Sequence, residues 1–337
     1  MAKGKAATGG TPWSEIVERV VRSRSVLLVL HVHPDGDSVG CSVAMARCLR
    51  AMGKRAQVVA PDPLPANLRF LDPDGLCVPP EGANGPFDLG LFLDCADMER
   101  IGSAQTLVPS LPEIINIDHH SSNRSYGTMN FIDASAGACG EVAVRLIDAL
   151  GWQIDRLAAT ALFAALATDT GSFRYENTHA ETLRIAARLV EAGADVPRVS
   201  GEIWDSRSLA SLNLLSLVLP TLRVEGGGRL ASLAISQAMV HEAGAVSGDQ
   251  EGLVDYPRSL RGVEVALLCV EDRPDCVRVS LRSNRWVDVS QLAARFGGGG
   301  HPRAAGCTVA GALDEVRARV VAAALEAVTA TVASPQA

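Results

Sequence analysis

Aromatic side chains are scarce in this chain of 337 residues, where Phe, Trp and Tyr together make up 4%. A hydrophobic core must therefore be built mainly from Ala, Val and Leu, and the hydrophobic content of 47% is enough for a sizeable one. A C-x-x-C pair is also missing among the eight cysteines, which argues against a structural zinc site. Basic residues are not in excess. The net charge of −7 argues against binding of long duplex nucleic acid, although it permits a small anionic substrate.

Long apolar runs are missing as well. Runs such as residues 26–30 are far too short to span a bilayer. Residues 1–11 are rich in Gly, Ala and Lys and lack the apolar centre of a secretory signal. We therefore expect a soluble, cytoplasmic protein without a membrane partner, and a disordered tail over residues 1–11.

Short apolar runs alternate with helical patterns in the first half of the chain. Strands are predicted at residues 26–30, 56–60, 88–93 and 113–117, and helices at residues 39–52, 138–150, 156–167 and 179–192. This alternation predicts an α/β fold with a doubly wound, mostly parallel sheet that is covered on both faces. A second, smaller α/β domain is predicted from strands at residues 229–235, 263–270 and 276–281 and helices at residues 289–296 and 313–328.

Four apolar elements of the first half each end in a cluster of acidic or histidine residues. The clusters are His31 with Asp35 and Asp37, Asp94 with Asp97, Asp118 with His119 and His120, and Asp169. The first three follow predicted strands, whose carboxyl ends meet at one edge of a parallel sheet. Carboxylates and imidazoles without thiolates favour Mn²⁺ or Mg²⁺ over a closed zinc site. A single aspartate here would indicate only a helix cap or a turn, but the four clusters together predict a site for two metal ions.

These clusters resemble the motifs of the DHH phosphoesterases, a superfamily that includes NrnA-type oligoribonucleases. The matching motifs are His31-x-x-Pro34-Asp35-Gly-Asp37-Ser-x-Gly40, Asp94-x-x-Asp97, Asp118-His119-His120 and Thr168-Asp169-Thr-Gly. The second half resembles the substrate-binding domain associated with DHH domains, through Arg282-Ser283 and the run Gly297-Gly-Gly-Gly300-His301. The resemblance implies a DHH catalytic, metal-binding domain at residues 12–194, a helical connector at 195–219 and a DHH-associated domain at 220–332.

The resemblance also implies roles for individual residues. His31, Asp35 and Asp94 would hold one Mn²⁺, and Asp37, Asp94, His119 and Asp169 would hold a second, with Mg²⁺ or Co²⁺ as alternatives. Asp94, as the shared ligand, and His120, facing the scissile phosphate, would be the catalytic residues, while Asp97 and Asp118 would orient imidazoles and water. The implied substrate-binding residues are Arg282, Ser283, Gly298, Gly299, Gly300 and His301.

The resemblance implies a Mn²⁺-dependent hydrolase that uses water activated by two metal ions. It would cut short oligoribonucleotides to 5′-mononucleotides and would also dephosphorylate 3′-phosphoadenosine 5′-phosphate. The alternative is a phosphodiesterase for cyclic di-AMP or pApA. A family II pyrophosphatase is less favoured, because no basic pyrophosphate clamp is visible near the C-terminus, and a non-catalytic nucleotide sensor is less favoured, because every expected ligand is present. Short RNA or a small nucleotide is the expected partner. Whether the protein forms a homodimer is left open.

Three residues depart from the family pattern. Cys41 follows Gly40 where Ser is usual, Cys139 occupies a position of small hydroxyl residues, and His33 stands where Asn is common. None of them is an expected metal ligand, so the predicted chemistry does not depend on them.

Overall fold

The structure is a computed structural model and describes residues 11–332, apart from the side chains of Ser247, His301 and residues 330–332. Most of the predicted tail, residues 1–10, lies outside the described residues. Its last residue, Thr11, donates its backbone N–H to the carbonyl of Asn130 at 2.8 Å. The chain divides into two compact units between Ser206 and Arg207. This division falls inside the predicted connector, whose bounds stay a prediction.

The first unit is built on a six-stranded sheet with every neighbouring pair parallel. Its strands are β1 (Ser25–Val29), β2 (Arg55–Val59), β3 (Cys77–Val78), β4 (Leu89–Leu93), β5 (Ile114–Asp118) and β6 (Met129–Ile132). Its helices are α1 (Trp13–Arg22), α2 (Gly36–Ala51), α3 (Cys139–Ala149), α4 (Arg156–Asp169), α5 (Ala180–Glu191) and α6 (Val196–Trp204). The predicted α/β fold class with a parallel sheet is confirmed.

The strand order β3-β2-β1-β4-β5-β6 makes the chain reverse its direction of travel between β1 and β4. Both strands are buried on both faces, since alternate residues of β1 belong to different cores: Leu28 to one and Leu27 to the other. The first core includes the helices, and the second includes the 3₁₀ segment Met98–Ser110. Side chains that follow β1 and β4 therefore emerge at the crevice where doubly wound folds bind ligands.

Close packing of α2 against α4 brings two of the acidic clusters together. Gly40 lies so near α4 that a Cβ atom there would stand 2.3 Å from the carbonyl oxygen of Ala161. The facing part of α4 is largely alanine and is buried, which permits this approach. Asp37 at the start of α2 and Asp169 at the end of α4 are consequently neighbours.

The second unit contains a mixed sheet in the order β11-β12-β10-β9-β8-β7, in which only the β8–β9 pair is parallel among the described pairings. Its strands are β7 (Arg223–Glu225), β8 (Leu230–Ile235), β9 (Val265–Arg273), β10 (Cys276–Ser283), β11 (Gly299–His301) and β12 (Ala304–Ala310). Its helices are α7 (Leu209–Val218), α8 (Gln237–Ala243), α9 (Asp255–Arg258), α10 (Val289–Ala294) and α11 (Leu313–Val332). Among the described helices of both units, none combines the length and the apolar composition needed to cross a membrane.

The glycine run at residues 297–300 is partly a strand. Its last part forms strand β11, which pairs with β12 at the edge of the sheet. A Cβ atom at Gly298 would stand 2.1 Å from the carbonyl oxygen of Gly306, and one at Gly300 would stand 2.6 Å from that of Ala304. Close packing in this hairpin therefore requires glycine at both positions.

Candidate metal centre

Two buried imidazoles are oriented by backbone carbonyls. His31 lies two residues beyond β1, and its Nδ1 is 2.8 Å from the carbonyl oxygen of Val32. His119 directly follows β5, and its Nδ1 is 3.3 Å from the carbonyl oxygen of Ala136. A carbonyl can only accept a hydrogen bond, so each Nδ1 carries a proton, and in the neutral ring each Nε2 presents a lone pair. This is the tautomer that an Nε2 metal ligand requires.

The first group of potential ligands consists of His31, Asp35 and Asp94. The Nε2 of His31 is 3.6 Å from the Oδ2 of Asp35 and 3.6 Å from the Oδ2 of Asp94. Asp35 also caps α2, because its Oδ1 accepts a hydrogen bond from the N–H of Ser38 at 3.0 Å. One carboxylate oxygen of Asp35 is thus used by the helix, while the other faces the imidazole.

The second group consists of Asp37, His119 and Asp169, joined by the other oxygen of Asp94. The Nε2 of His119 is 3.7 Å from the Oδ2 of Asp37, 3.4 Å from the Oδ2 of Asp169 and 3.5 Å from the Oδ1 of Asp94. Asp94 therefore presents Oδ2 to one imidazole and Oδ1 to another. A carboxylate in this arrangement has the position of a ligand shared between two sites.

The backbone at Asp94 is held in a left-handed conformation, with φ of 58°. Such a conformation costs a non-glycine residue about 1–3 kcal/mol, and surrounding structure must maintain it. Its N–H donates to the carbonyl of Ile117 at 3.0 Å, which ties the end of β4 to β5. The left-handed turn directs the buried carboxylate of Asp94 into the cluster of histidines and aspartates. An extended backbone at this position would direct the side chain elsewhere.

Burial and neighbouring charges change the pKa values of the side chains in the cluster. Burial raises the pKa of Asp37 well above its ordinary value, and repulsion from Asp94 and Asp169 adds to the rise. Burial likewise raises the pKa of Asp169 to about 6, although His119 opposes it. Burial opposes a charge on His31, but Asp35 and Asp94 outweigh it and raise its pKa to about 10. Carboxylates packed in this way need positive charge nearby, and protons supply it in the metal-free protein.

His120 is positioned by Asp118. The Nδ1 of His120 lies 2.7 Å from the Oδ1 of Asp118, whose carboxylate also accepts the N–H of His119 at 2.7 Å and the side-chain amide of Asn123 at 2.6 Å. Asp118 belongs to a group that could hold a metal ion with Asp94 and the two histidines. Its carboxylate is nevertheless already occupied by these three donors, which favours the predicted orienting role.

Asp97 stands apart from these groups in its contacts. Its Oδ1 accepts the N–H of Arg100 at 3.0 Å and so caps the 3₁₀ segment Met98–Ser110. The role of Asp97 in orienting imidazoles or water stays a prediction.

The second unit gathers several predicted substrate-binding residues on neighbouring strands. Arg282 of β10 and the backbone of His301 of β11 both pair with Ala304 of the intervening strand β12. The side chain of His301 lies outside the described residues. Ser283 is buried, and its hydroxyl donates to the carbonyl of Pro302 at 3.2 Å, so this side chain is already engaged.

Residues 25–168 match the model of the DHH family, N-terminal domain, and residues 231–334 match that of the DHHA1 domain. A protein of Thermus thermophilus named bifunctional oligoribonuclease and PAP phosphatase NrnA is 34% identical to this chain over 305 residues, which cover 90% of each. The chain belongs to the DHH family. The prediction made from its motifs is confirmed. A protein of the same name from Bacillus subtilis is 28% identical over 307 residues, or 88% of this chain and 93% of that protein.

The fold of this DHH phosphoesterase is also found in a solved structure. An exopolyphosphatase-related protein from Bacteroides fragilis superposes with a TM-score of 0.87 and 25% sequence identity. The superposition covers 95% of this chain and 98% of that one.

The donor atoms of this DHH-family site fit a divalent cation. The distances of 3.4–3.7 Å between nitrogen and oxygen exceed those of good hydrogen bonds. Two ligands of one ion, each about 2.1 Å from it, can lie up to about 4.2 Å apart. Among the described side chains, the Nε2 of His31 and the Oδ1 of Asp94 are buried without a hydrogen bond. Buried polar atoms without a hydrogen bond indicate a missing partner. A metal ion next to each of these two atoms would supply that partner.

Sequence reasoning missed two asparagines that support the site. Asn116 is fully buried within β5, and its Oδ1 accepts the side-chain amide of Asn123 at 2.8 Å. Asn123 in turn donates to Asp118, so the pair helps to fix the carboxylate that orients His120. The available signal was a polar residue between the isoleucines of the strand predicted at residues 113–117.

Proposed function

We propose that this chain hydrolyses short oligoribonucleotides to 5′-mononucleotides and also dephosphorylates 3′-phosphoadenosine 5′-phosphate, with two Mn²⁺ ions as cofactors. The observation that carries the proposal is Asp94, whose two oxygens face two separate groups of histidine and carboxylate ligands. The relative from Thermus thermophilus, whose name states both activities, supports the choice of substrates.

In this proposal the two metal positions share one carboxylate. His31, Asp35 and Asp94 would hold one ion, and Asp37, Asp94, His119 and Asp169 would hold the other. The absence of thiolate among these ligands favours Mn²⁺ or Mg²⁺, because hard oxygen donors suit those ions. When bound, such ions supply Lewis acidity at a phosphoryl oxygen and lower the pKa of water.

His120 would act on the phosphate itself. Asp118 holds its Nδ1 at 2.7 Å, which fixes the ring plane and stabilises the protonated imidazole. Burial opposes a charge on His120, yet Asp118 and Asp94 raise its pKa above the ordinary value. A protonated imidazole can donate a hydrogen bond to a phosphoryl oxygen or a proton to the leaving oxygen.

The second unit would bind a part of the substrate away from the reacting phosphate. Arg282 suits this role because a guanidinium binds phosphate oxygens through two parallel hydrogen bonds. Ser283, Gly298, Gly299, Gly300 and His301 would complete the binding surface. Since the Ser283 hydroxyl already donates to Pro302, that residue would contribute by shaping the strand end.

One substrate panel tests the proposal. Purified full-length protein with Mn²⁺ is incubated separately with a ribonucleotide trimer, pApA, 3′-phosphoadenosine 5′-phosphate, cyclic di-AMP and pyrophosphate, and products are separated by ion-exchange chromatography. We expect mononucleotides from the trimer and from pApA, and AMP with phosphate from the bisphosphate. Parallel reactions with excess chelator should be inactive.

Two results would contradict the proposal in different ways. Hydrolysis of cyclic di-AMP together with inactivity on the trimer would establish the alternative phosphodiesterase. Full activity in excess chelator would show that the reaction does not require metal ions.

A further inference from the structure

Two cysteines that depart from the family pattern surround one proposed metal ligand. Asp37 and Cys41 are four residues apart on α2, so their side chains lie on the same face of the helix. The thiol of Cys41 donates to the Oδ1 of Asp37 at 3.1 Å. Asp37 is 1% exposed and Cys41 is fully buried, so water does not compete for this contact.

Cys139 reaches the same carboxylate from α3. Its backbone N–H donates to the Oδ2 of Asp37 at 2.6 Å, and the next N–H, from Gly140, donates to the Oδ1 at 2.9 Å. The thiol of Cys139 donates to the carbonyl oxygen of Ile117 at 3.5 Å. The contacts thus connect α2 and α3 with the end of β5, two residues before His119.

We infer that Cys41 is a positioning residue for Asp37 and thereby for the metal ion that Asp37 would hold. This inference rests on the proposed function. Asp37 is close enough to Asp94 and Asp169 for their charges to repel it. Its carboxylate keeps its orientation toward His119 through the two α3 amides and the Cys41 thiol, and of these donors only the thiol is a side chain.

The expected effect is on metal affinity more than on folding. Removing a group that orients a metal ligand typically weakens metal binding by about 10–100-fold. A thiol is a weak hydrogen-bond donor, so we expect the lower end, about 10-fold, for the ion held by Asp37. The affinity for the ion held by His31 and Asp35 should change less, because the described hydrogen bond of the Cys41 thiol is to Asp37.

Mn²⁺ titration of the full chain, without substrate, tests this inference. The wild type, Cys41→Ala and Cys41→Ser are titrated while free Mn²⁺ is followed by electron paramagnetic resonance. Cys41→Ala should weaken one of two binding events about 10-fold, and Cys41→Ser, which restores a donor, should recover most of that affinity. Cys48→Ala is the matched control, since Cys48 lies on the same helix, is 2% exposed and donates to the carbonyl of Gln153 at 3.8 Å.

Each of the other outcomes is decisive. Unchanged Mn²⁺ affinity in Cys41→Ala, with two normal binding events in the wild type, would overturn the inference and leave the proposed function standing. Equal weakening in Cys41→Ala and Cys41→Ser, or in Cys48→Ala, would show that the side chain acts through packing and would also overturn it. A wild type that binds no Mn²⁺ would overturn the proposed function and this inference together.

Discussion

Replacing Asp94 by Asn removes one negative charge at the point where the two ligand groups meet. The amide keeps the size of the carboxylate, and Asn tolerates the left-handed backbone that Asp94 adopts with φ of 58°. The variant should therefore fold. What changes is the environment of His31 and His119, whose Nε2 atoms lie 3.6 and 3.5 Å from the two oxygens of Asp94.

The size of the effect follows from the sharing of Asp94. Losing a group that merely orients a ligand weakens metal binding by about 10–100-fold. Loss of a direct ligand should reach at least the upper end, about 100-fold, at each ion. Because Asp94 would serve both ions, the population of the doubly loaded enzyme at limiting Mn²⁺ should fall by roughly 10⁴-fold, or about 5.5 kcal/mol.

The assay combines Mn²⁺ titration with steady-state hydrolysis of pApA and thermal unfolding. Asp88→Asn is the control: Asp88 precedes β4 at the opposite end from Asp94, and its carboxylate accepts the N–H groups of Arg24 and Ser25 at 2.8 and 3.1 Å. Without added Mn²⁺, Asp94→Asn should unfold near the wild-type temperature. It should nevertheless lose metal binding and activity, whereas Asp88→Asn should keep both. Normal turnover by Asp94→Asn at limiting Mn²⁺ would refute the shared-ligand reasoning.

Three further predictions concern the metal, the glycine hairpin and Arg282. Mn²⁺ at 100 times its dissociation constant should stabilise the folded protein by about 2.7 kcal/mol for each ion bound. Two bound ions should therefore raise the unfolding temperature by roughly 10–20 °C, and chelator should reverse the shift. Gly300→Ala should destabilise the protein by about 1–3 kcal/mol in denaturant unfolding, because Gly300 has φ of 139°, whereas Gly299→Ala, with open space at its Cβ, should be near neutral. Arg282→Ala should lower kcat/KM on pApA by roughly 10–1000-fold with metal content unchanged. Arg278→Ala on the same strand, whose guanidinium bonds Gln250, should stay near wild type in that assay.

The fold of the first unit was largely predictable, because its signals are local. The runs that became β1 and β4 are continuously apolar, and those of β2 and β5 are each interrupted by one polar residue, Gln57 and Asn116. Nearly continuous apolar runs are typical of strands buried on both faces of a parallel sheet. Short strands such as β3, with two residues, carry too little pattern to be recognised. The 3₁₀ segment Met98–Ser110 packs on the second face through apolar residues that recur every three positions, at Met98, Ile101, Ala104 and Leu107. This spacing was not used to predict a helix.

The glycine hairpin shows the opposite case. A run of four glycines has no side-chain pattern from which a strand can be predicted. The pairing of β11 with β12 depends on a partner strand that follows it in the chain, and only that partner shows why Gly298 and Gly300 cannot carry a side chain.

In the metal centre, too, some features could be predicted from the sequence and others were decided by the tertiary structure. Residue types and their positions after strands were sufficient to predict which histidines and aspartates come together, since parallel strands have their carboxyl ends at one edge of the sheet. The assignment of the oxygens was decided by tertiary structure: the left-handed turn at Asp94, the close approach of α2 to α4 at Gly40, and the thiol of Cys41 on Asp37. These depend on distances between elements far apart in the chain. A local pattern can specify which groups arrive at a site, but only packing in three dimensions sets how each group is turned toward the others.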